Sequence, residues 1–131
     1  MFKGAEVIHQ YTRAQAIEDG VLVDVTETAR QMGFTVPVAL TAGVYADCVA
    51  WTDQDSERQV PQDEAGRLHD VLWMAFLAAA RARGVDQVTF ELLRVPRGGR
   101  ARTPRKVRLQ LRIGPGDAGE PVITIMMPGE S

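Results

Sequence analysis

The most regular apolar pattern in the chain lies between residues 62 and 83. Its apolar residues recur at the i, i+3, i+4 spacing of a single helix face: Leu68, Val71, Leu72, Ala75, Phe76 and Ala79. Asp63 and Glu64 suit the positive end of a helix dipole, and Gly84 is a suitable stop after the last turn. The pattern therefore predicts a long helix over about 62–83 that forms the spine of the core.

The last third of the chain alternates between apolar and polar residues, as strands do. Val107, Leu109 and Leu111 would face one side of such a strand, while Arg108 and Arg112 would face the other. The final segment is apolar on both faces, which is typical of a central or well-covered strand. We predict a three-stranded antiparallel sheet, packed on the long helix, over about 88–96, 106–113 and 122–127.

Shorter elements are predicted for the first half of the chain. Two segments have a capping-box spacing followed by a glycine stop: Thr12, Gln15 and Gly20, then Asp24, Glu27 and Gly33. Short strands are expected at 6–12, 21–23 and 36–40, and Thr41 is a candidate N-cap for a helix to about Trp51. The polar, acidic run 52–64 is expected to be a mobile loop. These elements predict one α+β domain over residues 1–131.

Charge is segregated along the chain. Residues 1–91 hold 7 basic and 14 acidic side chains, residues 92–112 hold 8 and 0, and residues 113–131 hold 0 and 3. The segment LLRVPRGGRARTPRKVRLQLR (92–112), termed the basic stretch, thus carries +8 on a chain of net charge −2. Such segregation bears on partners and association rather than on the fold.

A β-hairpin would present this charge to a partner. Gly98 and Gly99 suit a two-residue turn, because both can adopt positive φ angles. That register pairs Glu91 with Lys106 and so joins opposite charges. The candidate binding residues are the cations of the stretch: Arg94, Arg97, Arg100, Arg102, Arg105, Lys106, Arg108 and Arg112.

Three interpretations of these cations remain open. They solubilise a sheet edge, they pair with the acidic run 52–64 of the same chain, or they bind a partner. Seven of the eight are arginine, whose planar fork suits bidentate contacts to phosphate or carboxylate. The candidate partners are therefore nucleic acid, a nucleoprotein or an acidic protein surface. The stretch has no aromatic residue, which argues against base stacking.

Other candidate chemistry is sparse. His9, Tyr11 and Thr12 form an H-x-Y-T run that resembles the first motif of ADP-ribosyltransferase folds. That resemblance implies an enzyme that binds a nicotinamide dinucleotide, with Glu91 as its late glutamate, whereas a capped helix after a strand explains the same run. The two histidines and the single Cys48 are too few for a His/Cys metal site, so we predict no metal and no cofactor.

Five segments carry a resemblance over most of the chain: YTRAQAIEDGVLVDVTETAR, VPVALT, DCVAW, GRLHDVLWMAFLAA and GPGDAGEPVITIMMPGE. They resemble a family of small uncharacterised proteins encoded on bacterial plasmids, phages and other mobile elements. The resemblance implies an accessory gene of a mobile element, a context in which small proteins often block host defences. It implies no catalytic residue.

These observations favour a non-enzymatic interaction protein that binds its partner through the basic stretch, with anti-defence as one such role. An ADP-ribosyltransferase-like enzyme and a homo-oligomer are the alternatives. For the homo-oligomer, a dimer face would be formed by one of two sets on the last strand: Val122, Thr124 and Met126, or Ile123, Ile125 and Met127.

The sequence also favours a cytoplasmic protein with no membrane partner. The start MFKGAEVIHQ lacks a long apolar run, so we expect no signal peptide. The apolar run VLWMAFLAAA is too short to span a bilayer. A single cysteine is compatible with a reducing compartment.

Overall fold

A computed structural model of the protein describes residues 11–130. Within this range the helices are α1 (Arg13–Glu18), α2 (Thr26–Met32), α3 (Ala42–Val44), α4 (Asp53–Arg58) and α5 (Glu64–Arg81), and α3 continues into a π-helical turn, Tyr45–Val49. The strands are β1 (Leu22–Asp24), β2 (Val38–Thr41), β3 (Gln87–Arg94), β4 (Arg105–Pro115) and β5 (Pro121–Met126). His9 and most of the strand predicted at 6–12 lie outside the described residues.

The predicted α+β architecture is confirmed. The five strands form one mixed sheet in the order β1-β2-β5-β4-β3, and the three C-terminal strands are antiparallel neighbours. β2 joins β5 in parallel, with Val38 beside Ile123. β5 is therefore a central strand, which explains why it is apolar on both faces. Val122, Ile123, Ile125 and Met126 are each at most 5% exposed, so the chain itself buries most of both sets suggested for a dimer face.

The core lies between α5 and one face of the sheet. Val71 and Leu72 of α5 are fully buried and belong to one apolar cluster with Leu109 and Leu111 of β4. The position of the helix predicted over 62–83 is thus confirmed. The helix begins after Asp63, whose carboxylate accepts a hydrogen bond from the Gly66 amide. The described residues contain no helix that is long and apolar enough to cross a membrane.

Several helix ends follow the predicted local chemistry. Thr12 and Gln15 form the predicted capping box of α1, and Thr41 caps α3 by accepting from the Val44 amide. Gly33 ends α2 at a φ of 116°, a conformation that favours glycine. The second predicted capping box is wrong, because the residue that precedes α2 is Val25 and the Asp24 carboxylate accepts from Thr26 instead.

The prediction of a mobile loop over 52–64 is wrong for residues 53–58, which form α4. The Thr52 hydroxyl accepts from the Asp55 amide, and the Asp55 carboxylate accepts from the Thr52 amide. This capping box provides partners for backbone amides that the first turn of a helix leaves unpaired. The polar composition of the segment is also a misleading guide to its exposure, since Asp55 and Gln59 are only 5% and 2% exposed.

The two-residue turn predicted at Gly98 and Gly99 is wrong as well. Glu91 lies opposite Arg108 rather than Lys106, so the pairing of β3 with β4 is shifted by two residues. Because the shift is even, each residue keeps its predicted face of the sheet.

The strand pairing ends with Arg94 opposite Arg105, and residues 95–104 form a ten-residue connection. Pro96 lacks the amide hydrogen that would extend the ladder towards the tip. Residues 95–104 are termed the basic loop.

Candidate functional site

The basic stretch divides into cations that contact the body of the protein and cations that face solvent. Arg94 and Arg97 belong to the first group and are termed the inward arginines. The second group, termed the outward cations, consists of Arg100, Arg102 and Arg105 from the basic loop and the start of β4, together with Lys106, Arg108 and Arg112 of β4; Arg112 is half-buried and the other five are exposed.

The inward arginines are paired with carboxylates of their own chain. Arg94 donates from Nε and Nη2 to Asp47 in the π turn, at 3.2 and 2.9 Å. Arg97 donates from Nε to Asp55 in α4 at 2.7 Å. The Thr52 backbone amide and, after it, Arg97 hold the pKa of Asp55 below its ordinary value by stabilising the carboxylate. One of the three open interpretations, an internal acidic partner, thus accounts for Arg97, because Asp55 lies within 52–64.

The backbone of the basic loop is held by one buried amide. Gln59, which follows α4, donates from Nε2 to the carbonyl oxygens of Pro96 and Ala101, both at 2.7 Å. Its Oε1 accepts from the Gly98 amide at 3.1 Å. A side chain with two donors and one acceptor group thus bonds three points of a single loop. The sequence gives one weak signal for this arrangement, the T-x-x-D spacing of Thr52 and Asp55 that starts α4.

A second anchor is the buried guanidinium of Arg67 on α5, which is 4% exposed. Its Nε donates to the Val49 carbonyl at 3.1 Å, and its Nη1 donates to the Val95 carbonyl at 3.0 Å. The guanidinium also lies over the Trp51 ring, 4.5 Å from the centroid. Burial lowers the pKa of Arg67 from its ordinary value. Arg67 therefore ties the end of the π turn to the first residue of the basic loop.

The outward cations have weaker internal contacts or none. Arg100, Arg102 and Arg105 are exposed, and no carboxylate of residues 11–130 lies within 4.0 Å of their charged groups. Lys106 and Arg108 approach Glu91 only to 3.7 and 3.9 Å and are 65% and 66% exposed. Such exposed, loosely paired charges remain available to a partner.

Arg112 is half-buried and lies in a different environment. It pairs with Thr124 across the sheet and lines a cavity of about 580 Å³ together with Arg13 of α1. Arg13 donates to the Thr124 hydroxyl and to the Ile123 carbonyl, both at 2.7 Å. The face of the sheet opposite α5 is therefore partly covered by α1 near β5, while the Lys106 end of β4 is open.

The residues suggested for an ADP-ribosyltransferase lie apart where the structure describes them. Tyr11 is exposed, and its hydroxyl donates to Asp19 at 2.7 Å, which raises the pKa of Tyr11. Tyr11 lines a cavity with Asp117, whereas Glu91 lies on β3, at the opposite edge of the sheet from β1, and faces Lys106 and Arg108. The described part of the chain therefore does not bring Tyr11 and Glu91 into one site.

Few groups in the described residues suit nucleophilic or metal chemistry. Burial, and then the adjacent carboxylate of Asp47, raises the pKa of Cys48 to about 12, so its thiol stays protonated at neutral pH. Among residues 11–130, no three side chains of His, Cys, Asp or Glu come together in a way that could hold a metal ion.

Comparison with known proteins assigns a family. Searches of the curated proteins and of the solved structures gave no match. A family model described as "Family of unknown function (DUF6573)" matches residues 1–131, and the chain belongs to this family.

Proposed function

We infer that the protein binds nucleic acid through the outward cations, without catalysing a reaction on it. The observation that carries this proposal is the exposure of Arg100, Arg102 and Arg105, three arginines within six residues that have no carboxylate within 4.0 Å among the described residues. Charges placed only to keep an edge soluble need not be arginine, and one or two suffice. A set of exposed guanidinium groups suits repeated contacts to phosphate.

The arrangement along β4 favours a partner with regularly repeated charge. Lys106 and Arg108 are successive residues on one face of the strand, and such residues lie about 7 Å apart. Nucleic acid presents closely and regularly spaced phosphates along its backbone. An acidic protein surface is less regular, and it is the alternative outcome of the experiments below.

Contacts to the backbone rather than to the bases fit the composition of the surface. The basic stretch has no aromatic residue on which a base could stack. The basic loop is also bonded to Gln59 and Arg67 rather than projecting as a free arm that could enter a groove. We therefore expect binding with little sequence preference, since phosphate contacts carry no sequence information directly.

The salt dependence of binding tests this proposal. Fluorescence anisotropy with labelled duplex and single-stranded oligonucleotides should show log K falling with log salt concentration, with a slope of about −5 for duplex if all six outward cations neutralise phosphates. The double variant Arg100→Gln/Arg102→Gln should reduce the magnitude of that slope by about 2. The matched control is Arg30→Gln/Arg83→Gln, which removes the same charge from exposed positions outside the basic stretch.

Two results would contradict nucleic-acid binding through this surface. One is the absence of binding to either oligonucleotide at low salt. The other is an equal loss in the two double variants, which would show that only the net charge of the protein matters.

The resemblance to proteins of mobile elements supports a more specific form of the proposal. In that form the protein is an accessory factor that acts in the cytoplasm on a host nucleoprotein and blocks a host defence. Tagged protein should retain nuclease-sensitive material from a bacterial host lysate, and the Arg100→Gln/Arg102→Gln variant should retain much less. Retention of the same host protein after complete nuclease digestion would instead identify an acidic protein surface as the partner.

A further inference from the structure

The basic loop has little hydrogen-bond framework of its own. Strand pairing stops at Arg94 and Arg105, and between them the backbone of the loop forms only a single turn, at Arg97 and Gly98. The loop also contains Gly98 and Gly99, residues that leave the backbone free to adopt many conformations. A single shape for this loop must therefore come from contacts with the body of the protein.

Gln59 supplies most of those contacts. Its three hydrogen bonds reach Pro96, Gly98 and Ala101, which bracket the tip of the loop. The side chain is 2% exposed, so a ligand cannot touch it directly. Arg100 and Arg102, two of the exposed outward cations, flank Ala101, whose carbonyl oxygen accepts from Gln59 at 2.7 Å. The buried amide therefore fixes the backbone from which the two guanidinium groups project.

We propose that Gln59 is a positioning residue for nucleic-acid binding: it holds the basic loop in the conformation that meets the phosphates. This inference rests on the proposed function. Ordering a flexible loop and its long side chains on binding opposes association, and a loop that is already ordered avoids that cost. Gln59 would therefore raise affinity without contributing charge or contact.

The salt dependence of binding distinguishes a residue that positions the basic loop from residues that contact phosphate. The slope of log K against log salt counts the phosphates that are neutralised, whereas the entropy of loop ordering does not depend on counterions. Gln59→Met, which keeps a side chain of similar length but loses all three hydrogen bonds, should bind oligonucleotide about tenfold more weakly at an unchanged slope. The Arg100→Gln/Arg102→Gln variant should instead bind with a shallower slope.

One control comes from α4, the helix that Gln59 follows, and the other two variants come from the basic loop. Gln54→Met makes the same change at an exposed position of α4 and should bind like the wild type. Gly98→Ala should disturb the loop, because Gly98 has a φ of 93°, which alanine rarely adopts. The change alters no buried group, since no atom lies within 4 Å of the added Cβ. At Gly99 the added Cβ also has no atom within 4 Å, but the φ angle is not positive. Gly99→Ala is therefore the matched control for Gly98→Ala.

Hydrogen exchange completes the experiment. The Gly98 amide should exchange faster in Gln59→Met than in the wild type, and affinity should fall in both Gln59→Met and Gly98→Ala at an unchanged slope. Faster exchange with unaltered affinity would overturn the positioning role while leaving the proposed function intact. If Gln59→Met fails to fold, the comparison of Gly98→Ala with Gly99→Ala decides in the same way. Failure of the wild type to bind oligonucleotide would reject the proposed function itself.

Discussion

The inward and the outward arginines occupy the same short stretch but have different environments. Arg94 and Arg97 contact Asp47 and Asp55 at 2.9 and 2.7 Å, whereas Arg100 and Arg102 have no carboxylate within 4.0 Å among residues 11–130. The difference arises because Arg94, at the end of β3, and Arg97, near the start of the basic loop, lie within hydrogen-bonding distance of carboxylates in the π turn and α4, whereas the side chains of Arg100 and Arg102 do not. A run of arginines therefore cannot be treated as one uniform surface.

The comparison also separates two uses of positive charge. The inward arginines and the buried Arg67 connect elements that are distant in sequence, and they help to shape the basic loop. The outward cations contribute little to that shape and, except for the half-buried Arg112, remain exposed. Stability measurements should distinguish the two uses without reference to any ligand.

The largest expected effect is that of Arg67→Met. Methionine can replace the packing of the side chain but leaves the buried carbonyl oxygens of Val49 and Val95 without their donor. We expect the free energy of unfolding to fall by about 2–4 kcal/mol, the cost of two unpaired buried groups. Urea denaturation measures this value, with Arg100→Met as the control that should change it by at most about 0.5 kcal/mol. Equal stability of the two variants would mean that the buried guanidinium is not an anchor.

Removal of the α4 cap should have a smaller effect. Thr52→Ala deletes the hydroxyl that accepts from the Asp55 amide, and loss of an N-cap typically costs about 1 kcal/mol. The Gly98 amide should also exchange faster, because Gln59 follows this helix. Thr103→Ala, an exposed change within the basic loop, should leave both measurements unaltered.

The inward and outward arginines can be compared directly. Arg94→Gln and Arg97→Gln should each lower the free energy of unfolding by about 0.2–1 kcal/mol, the range for partly exposed ion pairs. Arg100→Gln and Arg102→Gln should lie within about 0.5 kcal/mol of the wild type. Thermal or urea unfolding of the four variants measures these values, and a loss of stability confined to Arg100→Gln and Arg102→Gln would contradict the division into inward and outward arginines.

The smallest expected effect is a pH dependence that originates at Asp55. Its pKa is lower in the folded protein than its ordinary value, so Asp55 contributes stability above that ordinary value, and the contribution is lost as pH falls through the folded pKa. The stability difference between the wild type and Asp55→Asn should therefore shrink on acidification from neutral pH to below pH 4. A difference that stays constant over this range would show that the carboxylate charge has no stabilising role.

Local patterns in the sequence predicted most of the elements. The long helix, the three C-terminal strands and the caps at Thr12 and Thr41 are confirmed because each depends on periodicity or on neighbours a few residues away. Composition was a poorer guide to residues 52–64, where a T-x-x-D cap produces a helix within a polar, acidic segment. Polarity indicates that a segment can be solvated, but it does not show that it lacks structure.

The candidate site was predicted only in part. The sequence identified the basic stretch and the face of each β4 residue, because a shift of two residues preserves the alternation of a strand. It could not identify Asp47, Gln59 or Arg67 as the partners of that stretch. These residues reach it through hydrogen bonds between positions 28 to 47 apart in the chain, and no local spacing encodes such contacts.

By itself the sequence determined where charge and apolar surface are available, since side-chain chemistry and strand or helix periodicity are local properties. Only the tertiary structure decided which of the eight cations of the basic stretch bond within the chain and which face solvent. That division depends on which elements the fold brings within hydrogen-bonding distance. A guanidinium group beside a carboxylate links two parts of the chain, whereas a guanidinium group with no carboxylate nearby remains available to a partner.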